Sequence, residues 1–245
     1  MKKRWLKSIL GVIFLFVVEI FACNFPILKN LYWKGFISRS VLNESMIMGD
    51  YHGAREYGFV CMAVFTIYVS FLMKSERRQE IIRYEKRKKY MKRKLLQVFE
   101  GSIIFSVIHE GISVIFLIIM GDVDILMAHK WIFGVFFQLI VNVVFFMQIY
   151  IIYEIFNMFL SRGTAQIMTI ASYTILDILF DEMKWNSSVW MPGRDLTMLQ
   201  NLCGGTYTWL QCSFGILRMS TLTLIVFLIY QKNWREKEWY GMEKR

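Results

Sequence analysis

The chain has 245 residues and a formal net charge of +10, from 29 Lys and Arg against 19 Asp and Glu. With 56% hydrophobic residues, 17% aromatics, 2 prolines and a mean hydropathy of +0.41, it is too apolar for a soluble domain and reads as one all-α, polytopic transmembrane domain over its whole length. The basic excess does not call for nucleic acid, because 11 of the 29 basic residues fall in the single run Lys74 to Gln97, between two apolar stretches, as in a cytoplasmic loop.

A helix crosses a bilayer core of about 30 Å with about 20 residues, and about six segments qualify. The first is Ser8 to Phe25. The basic Met1 to Lys7, the apolar Ile9 to Ile20 and Ala22-Cys23 imitate a cleaved lipoprotein leader, but Phe21 is bulky where a small residue is needed and Glu19 interrupts the apolar core, so the segment is kept as a span. An outer loop over residues 26–56 leads to the second span, Tyr57 to Met73. The basic loop, residues 74–97, carries Tyr84, Met91, Leu95 and Val98 at intervals of seven, four and three, one face of a helix. Such a helix lies at the headgroup interface, among anionic membrane lipids, or docks into a soluble partner.

The third span, Val98 to Met120, holds His109 and Glu110 near its middle, on one face with Ser106 and Ser113. After a short loop, the fourth span, Ile132 to Leu160, has Gln138 and Asn142 one turn apart. The fifth, Ile167 to Phe180, reaches spanning length only if Thr164 to Gln166 and Asp181 to Met183 join it; a re-entrant segment has the same appearance. In the last outer loop, residues 181–211, the turn signals Met191-Pro192-Gly193-Arg194 and Gly204-Gly205 flank Leu196 to Leu202, a short interfacial helix that dips back toward the bilayer. The sixth span, Cys212 to Tyr230, carries Arg218 about 9 Å from its outer end, at about 1.5 Å per residue.

Placing both termini in the cytoplasm puts 21 of the 29 basic residues on that side, as the positive-inside rule requires. The tryptophans agree: Trp5, Trp131, Trp209 and Trp234 sit near span ends and the others in loops or the tail. Cys23, Cys61, Cys203 and Cys212 all map to the outer half. There, Cys203 and Cys212 either staple the last loop as a disulfide or pack as thiols.

An ionisable group at membrane depth needs a partner or water. Glu19, His109, Glu110, Asp177 and Arg218 are therefore the candidate pathway residues, with Asp177 first and Glu19 second as the acid at the height of Arg218. The polar face of the third span either lines a route for a cationic or amphipathic substrate or forms a hydrogen-bonded seam between helices. Enzyme chemistry is not expected. There is no P-loop, no Gly-x-Ser-x-Gly, and His109-Glu110 has Ser113 where a zinc site needs its second histidine, so neither a metal nor a cofactor is implied.

The run Ile81-Ile82-Arg83-Tyr84-Glu85-Lys86-Arg87-Lys88-Lys89-Tyr90 resembles the inner loop of the six-span permease subunits of bacteriocin and lantibiotic ABC transporters of Gram-positive bacteria. The resemblance implies a multi-pass protein of the bacterial plasma membrane and an ABC ATPase subunit in trans, coupled through Arg83, Tyr84, Arg87, Lys88 and Tyr90. It also implies a second permease subunit, identical or not, and an antimicrobial or signalling peptide that is exported or cleared. The alternative is a non-transporting membrane immunity or scaffold protein that binds a partner through the same loop.

Overall fold

The structure, a computed structural model, describes residues 61–72, 87–120, 131–182 and 195–242 and the single positions 14, 17, 124 and 127; side chains are described chiefly over 61–69, 91–115, 131–175 and 195–233. Among the described residues there is helix and no strand: α1 (Met62–Leu72), α2 (Arg87–Met120), α3 (Trp131–Phe159), α4 (Arg162–Glu182), α5 (Met198–Cys203) and α6 (Trp209–Met242). Three stretches are long and apolar enough to cross a membrane, Met91–Ile115, Trp131–Phe159 and Trp209–Asn233, and the chain is a membrane protein. The first span apart from positions 14 and 17, the loop over 26–56, Glu19, Arg83 and Tyr84 lie outside the described residues, as do the side chains of Arg87, Lys88, Tyr90 and Asp177.

Helix α3 is the axis of the bundle, and each of the other five helices packs on it. Its sequence explains why. Gly134, Gln138, Val141, Asn142, Phe145, Phe146, Ile149, Tyr150 and Tyr153 are all buried. Their spacing of three, four and one draws one broad stripe, the buried Gln148 and Ile151 extend it round most of the cylinder over the last turns, and a helix buried on most sides is one that others surround. At mid-height α1, α2 and α3 meet through three phenylalanines. Phe65 and Phe105 pack edge to face at 5.3 Å and Phe105 and Phe146 likewise at 4.6 Å, while Phe65 and Phe146 meet tilted, at 4.8 Å and 37° between planes. Such edge-to-face pairs add about 0.5–1.5 kcal/mol each beyond burial.

Helix α2 is one unbroken helix of 34 residues, so the basic segment expected to lead into the third span is continuous with it. The predicted apolar face is real over its described part: Met91 and Leu95 are half-buried and Val98 is buried. Helix α4 starts within two residues of α3, turned by Ser161, whose hydroxyl accepts from the Thr164 backbone N–H at 3.4 Å and whose carbonyl accepts from Ala165 at 2.8 Å, an N-cap arrangement. Thr164 to Gln166, Asp181 and Glu182 all join this helix, which at 21 residues is about 31 Å long at about 1.5 Å per residue.

The expected short helix in the last loop is present as α5, and it is not peripheral. Leu196, Met198 and Leu199 are buried against α3 and α6. Two glycines make the room. A Cβ at Gly134 on α3 would stand 2.5 Å from Leu199 Cδ1, and one at Gly215 on α6 would meet Met198 Cε and stand 2.9 Å from Asp195 Oδ1. The segment turns out at Gly205, whose φ of +72° suits a residue without a Cβ. Thr208 then caps α6: its hydroxyl accepts from the Gln211 N–H at 3.4 Å while Gln211 Oε1 accepts from the Thr208 N–H at 2.7 Å, a capping box.

Candidate functional site

The polar face read on the third span exists and is longer than expected. Ser102, Ser106, His109, Glu110 and Ser113 of α2 are all buried, at intervals of three and four that keep them on one side. Ser113 donates to the His109 carbonyl at 3.1 Å, and the His109 ring lies parallel to Phe105, 10° between planes and 6.4 Å between centroids. The hydroxyls of Ser102 and Ser106 have no hydrogen-bond partner among the described residues.

Glu110, 3% exposed, is joined across the helix interface to the two amides of α3. Asn142 Nδ2 donates to Glu110 Oε1, and Gln138 Nε2 donates to Asn142 Oδ1 at 3.0 Å. Gln138 in turn donates to the Leu196 carbonyl at 2.6 Å and accepts from the Leu199 backbone N–H at 3.1 Å. The sense of every link is therefore fixed from one end. Side-chain amides are ambiguous by themselves, but the backbone of the folded-back segment offers Gln138 one carbonyl and one N–H. That settles which atom of Gln138 faces Asn142, which settles Asn142, which presents a donor to Glu110. Asn142 stands 11 residues from Trp131, about 16 Å along α3 at about 1.5 Å per residue, so the relay joins the centre of the bundle to the segment near its tryptophan-bearing end.

The same segment is held from the other side by charge. Arg218 donates from Nη2 to Asp195 Oδ1 at 2.7 Å and from Nε to Oδ2 at 3.1 Å, a two-pronged pair. Tyr207 Oη reaches Oδ1 at 3.5 Å. Arg218 thus pairs with an acid that was not expected, Asp195 in the loop; the expected partners Asp177 and Glu19 lie outside the described side chains. The depth match was sought among spans, whereas the loop folds back and brings its own carboxylate to the height of Arg218.

Cys61, Cys203 and Cys212 are buried thiols, so the disulfide alternative for Cys203 and Cys212 does not hold here. Burial, and then the neighbouring Cys212, push the Cys203 thiol up to about 11. Among the described residues no three His, Cys, Asp or Glu side chains come together as a metal-binding group.

At the opposite, basic end, α2 is fastened to α3. Lys94 pairs with Glu154 at 2.7 Å, both largely buried, and Tyr150 Oη donates to the other carboxylate oxygen at 2.7 Å. Lys94 Nζ lies 6.0 Å from the centre of the Tyr150 ring. Met91, Leu95, Ile151 and Tyr230 of α6 complete a shallow cleft around this pair, with room for about one water molecule. Of the coupling residues implied by the resemblance, Arg87, Lys88 and Tyr90 fall on the first turn of α2, two turns before the pair. Sequence reading missed Lys94, Glu154 and Asp195.

Comparison with protein-family models, curated proteins and solved structures finds no match.

Proposed function

We propose that the chain is the permease subunit of an ABC transporter of the bacterial cell membrane. It has six spans with both termini in the cytoplasm, and exports or clears an antimicrobial or signalling peptide. A separate subunit hydrolyses the ATP, and a second permease subunit completes the pathway. The observation that carries this reading is the continuity of α2, which runs without a break from the basic residues Arg87 and Lys88 to the buried Glu110. A helix transmits displacement along its axis, here over about 34 Å at about 1.5 Å per residue. A push on the basic end therefore reaches the relay and the segment 195–203. The Lys94–Glu154 pair sets the position from which that push starts.

A second reading, a non-transporting immunity or scaffold protein, is favoured by one fact: the polar face of α2 is buried and its Glu110 is tied to Asn142 of α3, as in a hydrogen-bonded seam between helices. Under the first reading the peptide passes between two permease subunits instead of through one.

Recovery of the chain from detergent with an ATPase subunit, and loss of that recovery or of coupled hydrolysis on charge reversal at Arg83, Arg87 and Lys88, is the expected result. Unchanged coupling with the loop replaced by a neutral linker overturns the first reading. Reporters fused after Lys29, Trp185 and Arg245 should read outside, outside and inside.

A further inference from the structure

Three hydrogen bonds in series, all pointing one way, connect the backbone of residues 196–199 to one carboxylate at mid-membrane. We propose that Glu110 is a proton-binding site whose occupancy sets how firmly the segment 195–203 is seated on α3. Gln138 is oriented by Leu196 and Leu199, so Asn142 presents its N–H to Glu110 Oε1 only while the segment is in place. An ionised carboxylate accepts that hydrogen bond with roughly twice the strength of a neutral one. Removing the segment frees both amides to flip, which would turn an acceptor oxygen toward Glu110 and suit a protonated carboxyl instead. Seating and deprotonation of Glu110 thus favour each other, and by linkage the effect runs equally in both directions.

Among the described residues, few other groups that titrate lie around this relay. On its own helix Glu110 has His109 beside it. Helix α3 meets it with the uncharged Asn142 and Gln138, and among the described residues Tyr68 on α1 and Cys61 just before it are the titratable side chains from that side. The segment itself is faced by Asp195, Cys203 and Tyr207 and, from α6, by Arg218 and Cys212. Asp195 is thus the main competitor, because its protonation weakens the pair with Arg218.

The experiment is amide hydrogen exchange of the full chain in lipid vesicles between pH 4 and pH 9, expressed as protection relative to unstructured peptide at each pH. Protection of residues 196–203 should fall about tenfold on acidification, the change expected when a charge-assisted hydrogen bond becomes a neutral one. It should be flat with pH in Glu110→Gln and in Asn142→Leu, which cuts the relay one residue away. A flat profile in the unaltered chain overturns the proposal, and so does an undiminished fall in both variants, which would assign the proton to Asp195 or His109. If neither variant folds, Asp195→Asn decides: the proposal requires its pH dependence to persist. The readout needs no ATPase or peptide, so its failure is separable from failure of the transporter reading.

Discussion

Arg218 of α6 holds Asp195 through two of its nitrogens, and the two partners are unequally buried: the carboxylate is 0% exposed and the guanidinium side chain 38%. That inequality predicts an asymmetric response. Arg218→Leu strands a fully buried carboxylate, whereas Asp195→Asn leaves an arginine able to reach outward. Arg218→Leu should cost about 2–4 kcal/mol, discounted from a fully enclosed pair because one partner meets solvent or headgroups. Asp195→Asn should cost less, and the double variant should recover part of the loss. Thermal unfolding in detergent measures all three; equal losses for the two single variants contradict the inequality.

Gly215 lies one turn before Arg218 on α6, and an added methyl group there meets Met198 Cε and stands 2.9 Å from Asp195 Oδ1. The methionine end is flexible and yields. The carboxylate is fixed by Arg218 and does not yield without losing its two-pronged geometry. Gly215→Ala should therefore cost about 1–3 kcal/mol, the range for overpacking. Its effect should not add to that of Arg218→Leu, since both disturb the same carboxylate. Gly134→Ala, whose tightest neighbour is the mobile end of Leu199, should be milder.

The parts of this architecture that were legible in the sequence are those set by local pattern. Met91, Leu95 and Val98 repeat at helical spacing, and that face indeed packs. Ser106, His109, Glu110 and Ser113 share one side of a helix, and that side is buried. What could not be read is where a loop returns. Asp195 and Arg218 are 23 residues apart, and only the folding of the intervening α5 into the space left by Gly134 and Gly215 brings them level. The same holds for Gln138, whose importance comes from backbone groups about 60 residues away. One local signal was there to be used: Thr208-Trp209-Leu210-Gln211 has the capping-box spacing and places the start of α6 at Trp209, three residues before the apolar run suggests.

The Cys203 thiol, raised from 9.0 to about 11, bears on pH in two ways. Its proton is held more tightly in the folded chain, so its contribution to stability is complete below about pH 9 and is lost as pH rises through about 11. At pH 8 the reactive thiolate should be roughly a hundredfold scarcer than for a thiol at 9.0, the consequence of a two-unit rise. Mass-spectrometric mapping of alkylated cysteines should find Cys203 slow at pH 8 and much faster in Arg218→Leu, where the segment loses its charge anchor. Rapid alkylation in the unaltered chain would mean that the segment is not seated.

At the basic end, Lys94 and Glu154 form the bond that fixes the start of α2 against α3, with Tyr150 on the second carboxylate oxygen. The pair is largely but not wholly buried, which places its coupling between the surface case, below about 1 kcal/mol, and the enclosed one. A double-mutant cycle over Lys94→Met and Glu154→Gln should give about 1–2 kcal/mol. Function should be hit harder than stability. Glu154→Gln keeps an acceptor for Tyr150 and so keeps the helix packed, but releases Lys94 and lets the basic turn of α2 move without carrying α3. Under the transporter reading, in vesicles holding the chain with an ATPase subunit, hydrolysis should then continue while peptide-stimulated hydrolysis falls. Retained stimulation in a folded Glu154→Gln protein would show that the pair is structural only, and that force from the loop enters the bundle elsewhere.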